Sequence, residues 1–280
     1  MNLKIIHETN YVYSKAVFLE PHTLRFKPKA TSFYTLKSFS LDVRPKASGI
    51  SENFDPENNR VHMCWFNGLM NELWIRAESV VEVKDHNPFS FLIHPQQNTT
   101  LPVEYSQDEK NLLVPALFSE KLSPQVLEYL QNVRSSTKDI TLEFILSLTR
   151  NIHKNFKVET REKGIPLEAV KTFKIKRGSC RDLAWMEIQL LRNSGIAARF
   201  VSGYYYLETE NPEFELHAWL EAYLPGAGWI GFDPSHGVLT GSLHIPVCQS
   251  VFYKNTLPVT GKLRGDAHSE LLTSLKIFPV

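Results

Sequence analysis

The chain has 280 residues, 42% apolar and 22% charged, a globular composition that excludes collagen-like, fibrous and disordered readings. Its 31 Lys and Arg against 30 Asp and Glu leave a net charge of +1, so no global field draws in nucleic acid or an anionic membrane surface. No apolar run approaches the roughly 18 residues of a membrane-spanning helix, and a chain of this length is expected to hold two domains.

At the N-terminus, MNLKIIHETNYVYS places His7 and Glu8 where a secretory signal would carry its apolar region, so export is not expected and the cytoplasm is the expected compartment. From Leu3 to about Pro115 the text is strand-like: LKIIHETNYVY, TSFYTLKSFSLDVRP, NRVHMCWFNG and NELWIRAESVVEVKD are β-branched or aromatic runs punctuated by Pro, Asn and Gly. An all-β first domain over residues 1–115 is predicted. Its register and the choice between sandwich and barrel stay open, because Leu36, Phe39, Leu41 and Val43 alternate only after a one-residue slip. Pro88, Pro95, Pro102 and Pro115 mark residues from about 87 to 115 as a connecting segment, with helices beginning after it.

Residues 116–280 are read as the second domain. Ser123 before Pro124 supplies a helix start, and Leu142, Ile145, Leu146, Thr149, Ile152 and Phe156 recur at helical spacing, which predicts two amphipathic helices. Arg177-Gly178-Ser179 is a predicted turn that delivers Cys180 to the first residue of a helix, CRDLAWMEIQLLRNSG. In that helix Leu183, Met186, Leu190 and Leu191 form an apolar stripe, and Gly195 suits the C-terminal stop. ARFVSGYYYLE and LHAWLEAYL read as strands. In the second, Leu216, Ala218, Leu220 and Ala222 alternate with His217, Trp219, Glu221 and Tyr223, so His217 faces away from the small apolar residues. GWIGFDPSHG reads as a short strand ending at Asp233, where a Pro-containing turn begins.

These positions carry a chemistry. Cys64, Cys180 and Cys248 are too few for a disulfide framework or zinc ribbon, and with no C-x-x-C pair they point to a reducing environment in which one thiol is employed. The amides of a helix N-terminus and a nearby imidazolium favour a thiolate, and the same amides can bind an oxyanion. Cys180 has the first feature by position. His217 is the candidate base and acid, since an imidazole titrates near working pH, and Asp233 is the candidate carboxylate that fixes the ring's tautomer.

The blocks RGSCRDLAWM, GIAARFVSGY, HAWLEAYLPGAGW and GFDPS, in this order, resemble the bacterial transglutaminase-like family of the papain-related cysteine protease and transglutaminase superfamily. The similarity is specific over about residues 141–237 and extends thinly to YVYSKAVFLEPHTLRFKP, which is similar to the family's N-terminal β-domain. After Gly237 the tail departs from the family: CQSVFYKNTLPV replaces an Arg-Asp-Tyr-type stretch. The resemblance implies Cys180, His217 and Asp233 as the catalytic triad. It also implies an α+β chain in which the all-β domain precedes a papain-like core, a helix bundle packed on an antiparallel sheet.

The expected reaction is acyl transfer through a thioester on an amide, peptide or isopeptide-like bond, with hydrolysis slightly favoured over an amine acceptor. A non-catalytic binding or assembly protein on the same fold is the rival from another class. The expected partner is a peptide or protein-like amide substrate, with no nucleic acid and no membrane. No Walker A run or G-x-G-x-x-G occurs, and no cofactor or metal is expected.

Other residues are weighed against plainer uses. Arg181 and Asp182 read as structural ion pairs or cap contacts. Trp185, Trp219 and Trp229 read chiefly as core, with Trp219 the preferred residue for lining a substrate groove because it shares a face with His217. His62 and Cys64, two apart on a strand, read as packing; His236 and His244 flank the site loop and could assist it, but read first as solvated loop histidines, and Cys248 reads as a buried thiol.

Overall fold

Alternating and β-branched sequence gives the N-terminal half its strands: β1 (Asn2–Leu19), β2 (His22–Leu24), β3 (Tyr34–Arg44), β4 (Gly49–Phe54), β5 (Arg60–Trp65) and β6 (Leu69–Val83). The computed structural model describes residues 1–161, 164–207, 214 and 216–280. After β6 come α1 (Gln107–Leu117), α2 (Pro124–Ser136), α3 (Thr141–Asn155), β7 (Lys157–Val158), α4 (Ala169–Ile175), β8 (Arg177–Gly178) and α5 (Cys180–Asn193). The chain then continues through β9 (Ala198–Tyr205), β10 (His217–Leu224), β11 (Gly228–Asp233), β12 (Val238–Leu239) and β13 (His244–Ser250). It ends with β14 (Val259–Thr260), β15 (Leu263–Arg264) and β16 (Ser269–Pro279).

The choice left open by the sequence resolves to a sandwich. One sheet runs β15-β1-β6-β3 with β16 also paired to β1, and the second runs β14-β2-β5-β4. Val17, Leu19, Leu73 and Ile75 from the first meet Leu24, Cys64 and Phe66 from the second chain region in a common core. The slip noted near Leu36 is real: the pairing of β3 with β6 shifts between Leu36 and Ser38.

Two expectations about boundaries fail. Helix α1 starts inside the segment read as a connection, because Ser106 and Glu109 form a capping box: the Ser106 amide donates to Glu109 Oε2 at 2.8 Å and the Glu109 amide to Ser106 Oγ at 3.3 Å. Pro115 falls in its last turn, where it has no amide to donate to the Asn111 carbonyl. The tail, grouped with the second domain, returns to the first, as β16 pairs antiparallel with β1 from Leu3↔Pro279 to Tyr13↔Ser269. Long β1 has one edge on β6, and β16 satisfies the backbone groups of the other edge.

A third sheet, β12-β11-β10-β9-β13, is antiparallel throughout and positions the site. Ala218, Leu220, Ala222 and Leu224 of β10 pack into the core built by Leu183, Ile188 and Leu191 of α5 and by Phe144, Leu148 and Ile152 of α3. Elsewhere on this sheet Tyr204, Ile245 and Val247 pack against Leu3, Ile5, Val81 and Ile277, joining it to the sandwich. The predicted strand ARFVSGYYYLE stops at Tyr205, and its last residue, Glu208, lies outside the described residues.

Candidate active site

Cys180 is the first residue of α5, a helix whose residues from Asp182 to Arg192 are all buried. The turn before it is fixed by Asp182, which accepts from the Ser179 amide at 2.8 Å and the Ser179 hydroxyl at 2.7 Å. The same carboxylate accepts from Arg161 Nη2 at 2.6 Å and the Leu167 amide at 2.8 Å. Asp182 is therefore structural, as expected, and it clamps the loop before α4 to the start of α5. Cys180 itself is half-buried, whereas Cys64 and Cys248 are buried free thiols.

His217 opens β10 opposite Gly203 of β9, and Asp233 closes β11. Their side chains meet, with His217 Nε2 and Asp233 Oδ2 2.8 Å apart. The Cys180 side chain lies near enough to favour the charged form of the His217 ring. Since Nε2 is committed to Asp233, Nδ1 is the nitrogen left for the sulfur. Helix, strand and strand each contribute one residue to the same site.

Asp233 is wholly buried and holds more than one imidazole. Its Oδ2 lies 2.8 Å from His236 Nδ1 and 3.1 Å from His244 Nε2, and its Oδ1 accepts from the Ser235 amide at 2.9 Å. Tyr205 binds the three rings together: it stacks on His244 at 4.1 Å and on His217 at 5.5 Å, and meets His236 edge-on at 4.6 Å.

Burial works against a charge on His217, yet the charge and hydrogen bond of Asp233, with the contact to Cys180, outweigh it and push the imidazole up to about 10. Burial alone would raise the Asp233 carboxyl, but the charge on His217 and the bonds from three imidazoles hold it well below the usual carboxylate range. At neutral pH the pair is imidazolium and carboxylate. Burial pushes the Cys64 thiol up to about 11 and the Cys248 thiol up to about 12, so both stay protonated.

Several sequence expectations need correction. Trp219 is 1% exposed and lines no groove, because its indole covers Gly203 and meets His244 edge-on at 5.3 Å. His244 is no solvated loop residue: it is 4% exposed at the start of β13. The sequence set it beside the site loop as a possible assistant but did not pair it with Asp233, since no spacing rule joins a residue in a divergent tail to one eleven positions earlier.

Glu187 was also missed. It lies among the apolar positions of α5, fully buried, and accepts from Thr149 Oγ1 at 2.6 Å. Burial, with a smaller contribution from Asp233 and against the Thr149 bond, pushes its carboxyl up to about 8. His62 packs on Phe39 and approaches Glu52 at 3.5 Å, as packing predicts. His217, Asp233 and His236 present ligand-type atoms all within 4.8 Å of one another, the one such group among the described residues, and these atoms are already joined as hydrogen-bond partners.

Comparison with known proteins places this geometry. The model of the bacterial transglutaminase-like N-terminal region matches residues 3–82, and that of the transglutaminase-like superfamily matches residues 128–234, a span that contains Cys180, His217 and Asp233. An uncharacterized Mycobacterium leprae protein is 22% identical over 274 residues, covering 96% of this chain and 95% of its own. The protein-glutamine gamma-glutamyltransferase of Pseudomonas aeruginosa is 36% identical over 74 residues, which is 24% of this chain and 11% of that protein. A crystal structure from Cytophaga hutchinsonii, provisionally described as a cysteine protease, superposes with a TM-score of 0.70 at 21% identity, covering 100% of this chain and 91% of that one.

Proposed function

The chain belongs to the transglutaminase-like superfamily and carries the N-terminal region of its bacterial members, and on that premise we propose that it is a cysteine-dependent acyl-transfer enzyme acting on amide or peptide bonds. The observation that carries this reading is the placement of Cys180 at a helix N-terminus beside His217, whose ring is bonded in turn to the buried Asp233. Cys180 Sγ attacks the carbonyl carbon, and the C–N bond breaks as His217 gives its Nδ1 proton to the leaving amine. The thioester is then opened by water, whose proton returns through His217 as the thiol is regenerated. The Cys180 amide, in the first turn of α5, is the donor we assign to the oxyanion.

Hydrolysis is the favoured outcome, with peptide or isopeptide-like bonds as the substrate class. A true transglutaminase reaction, in which an amine takes the acyl group, is the second reading, and the local similarity to a gamma-glutamyltransferase favours it. The test is a peptide screen with and without added alkylamine, resolved by product mass. A free carboxylate in both arms supports the hydrolase, and an amine adduct supports the transferase. A screen with no Cys180-dependent product, joined to equally slow iodoacetamide labelling of all three thiols, would favour a binding protein instead.

A further inference from the structure

We propose that His244 is a positioning residue for this site: it donates Nε2–H to Asp233 Oδ2 and locks the carboxylate in the orientation that holds His217 against Cys180. The inference rests on the acyl-transfer reading above and deepens it. Its first support is the tautomer. His244 Nδ1 is 3.3 Å from the amide of Gly241, which has only a proton to offer, so Nδ1 is the acceptor. In a neutral ring the proton then resides on Nε2, the atom 3.1 Å from Asp233 Oδ2.

The second support is rigidity. The His244 ring is 4% exposed, stacked on Tyr205 at 4.1 Å and held edge-on by Trp219 at 5.3 Å, so it has no room to turn away. The third is independence. Ser235 and His236 also hold Asp233, but both ride on the turn that follows it and move with it. His244 comes from β13, which pairs with β9 and packs through Ile245 and Val247 on Leu3, Ile5 and Ile277 of the sandwich. It is thus an anchor outside the Asp233 turn, and it ties the orientation of the catalytic carboxylate to the N-terminal domain.

The test compares His244→Phe, which keeps a ring of similar size without the donor, with His244→Gln, which restores an N–H near the Nε2 position. Both are read by turnover of a peptide amide from the screen and by the rate of Cys180 alkylation with iodoacetamide, beside His217→Ala and wild type. We expect His244→Phe to lower kcat about ten- to a hundredfold with KM within about twofold, since a charge-assisted bond is lost and no substrate contact is. His244→Gln should recover most of that loss. An unchanged kcat in His244→Phe, or no rescue in a folded His244→Gln, overturns the proposal provided His217→Ala is inactive. If His217→Ala keeps Cys180-dependent turnover, the role of His217 in the acyl-transfer reading has failed, and if neither wild type nor any variant shows Cys180-dependent turnover, the acyl-transfer reading itself has failed. Nitrogen-15 imidazole shifts of the wild-type protein give a readout that needs no variant to fold: a protonated Nε2 and bare Nδ1 on His244 support the proposal, and the opposite tautomer overturns it.

Discussion

Replacing Cys180 with Ser or Ala is expected to abolish turnover while leaving the melting temperature nearly unchanged. A half-buried thiol at a helix start leaves little cavity behind, and an alkoxide is far harder to generate than a thiolate. Cys64→Ala and Cys248→Ala should keep turnover, each losing roughly 1–2 kcal/mol of stability as buried groups do. Asp233→Asn should lower kcat by about a thousandfold or more. It should also lower the melting temperature, because an amide cannot serve the imidazoles that converge on the carboxylate. The pH dependence follows from the same pair. With His217 raised to about 10, the acid that protonates the leaving amine is lost above that value, so activity should fall on an alkaline limb near pH 10. Stability tracks the two shifts separately. The raised His217 contributes fully below about 6.5 and loses its contribution as pH climbs to about 10, while the depressed Asp233 contributes above about 3.8 and loses it as pH falls. Thermal unfolding across pH should therefore peak between roughly pH 4 and 6.5 for this pair, and the peak should flatten in His217→Ala.

At the scale of elements, the site depends on how closely β9 approaches its neighbours. A methyl group at Gly203 would stand 2.3 Å from the Ile245 carbonyl oxygen and 2.6 Å from the Trp219 ring, and the carbonyl is backbone that cannot swing aside. Gly203→Ala is expected to cost about 1–3 kcal/mol and to reduce activity by pushing apart β9, β13 and the Trp219 ring. Chemical denaturation and turnover on the same samples would check this, and an unperturbed variant would show that the strands have slack. The start of α5 is the second sensitive element. Asp182→Asn weakens the Arg161 ion pair and the acceptor for the Ser179 amide and hydroxyl, so it should loosen the turn that presents Cys180.

Across the whole molecule, the C-terminal strand joins two domains rather than trailing from one. Removing residues 269–280 would bare the β1 edge from Leu3 to Tyr13 and take Ile277 out of the cluster that holds β13 against the sandwich. Such a truncation is expected to self-associate on size exclusion and to unfold at lower temperature. Activity should fall as well, because β13 carries His244. An intact monomer with wild-type turnover would show that β13 is held by the third sheet alone.

The sequence by itself pointed to the candidate triad and to the elements that carry it. Ser179-Cys180 before an apolar helical stripe, His217 on an alternating strand and Asp233 before a proline turn are local patterns, and local backbone physics reads them directly. The sequence also determined that the first half is β-structure. Only tertiary structure decided what surrounds the carboxylate. His244 reaches Asp233 from another strand, and Glu187 lies hidden within an apolar stripe. It also decided where the tail belongs, since the partner of β16 is a strand at the opposite end of the chain. The division has one physical cause. Periodicity and caps are fixed by neighbours a few residues apart, whereas burial and long-range pairing are decided by which surfaces meet once the chain has folded.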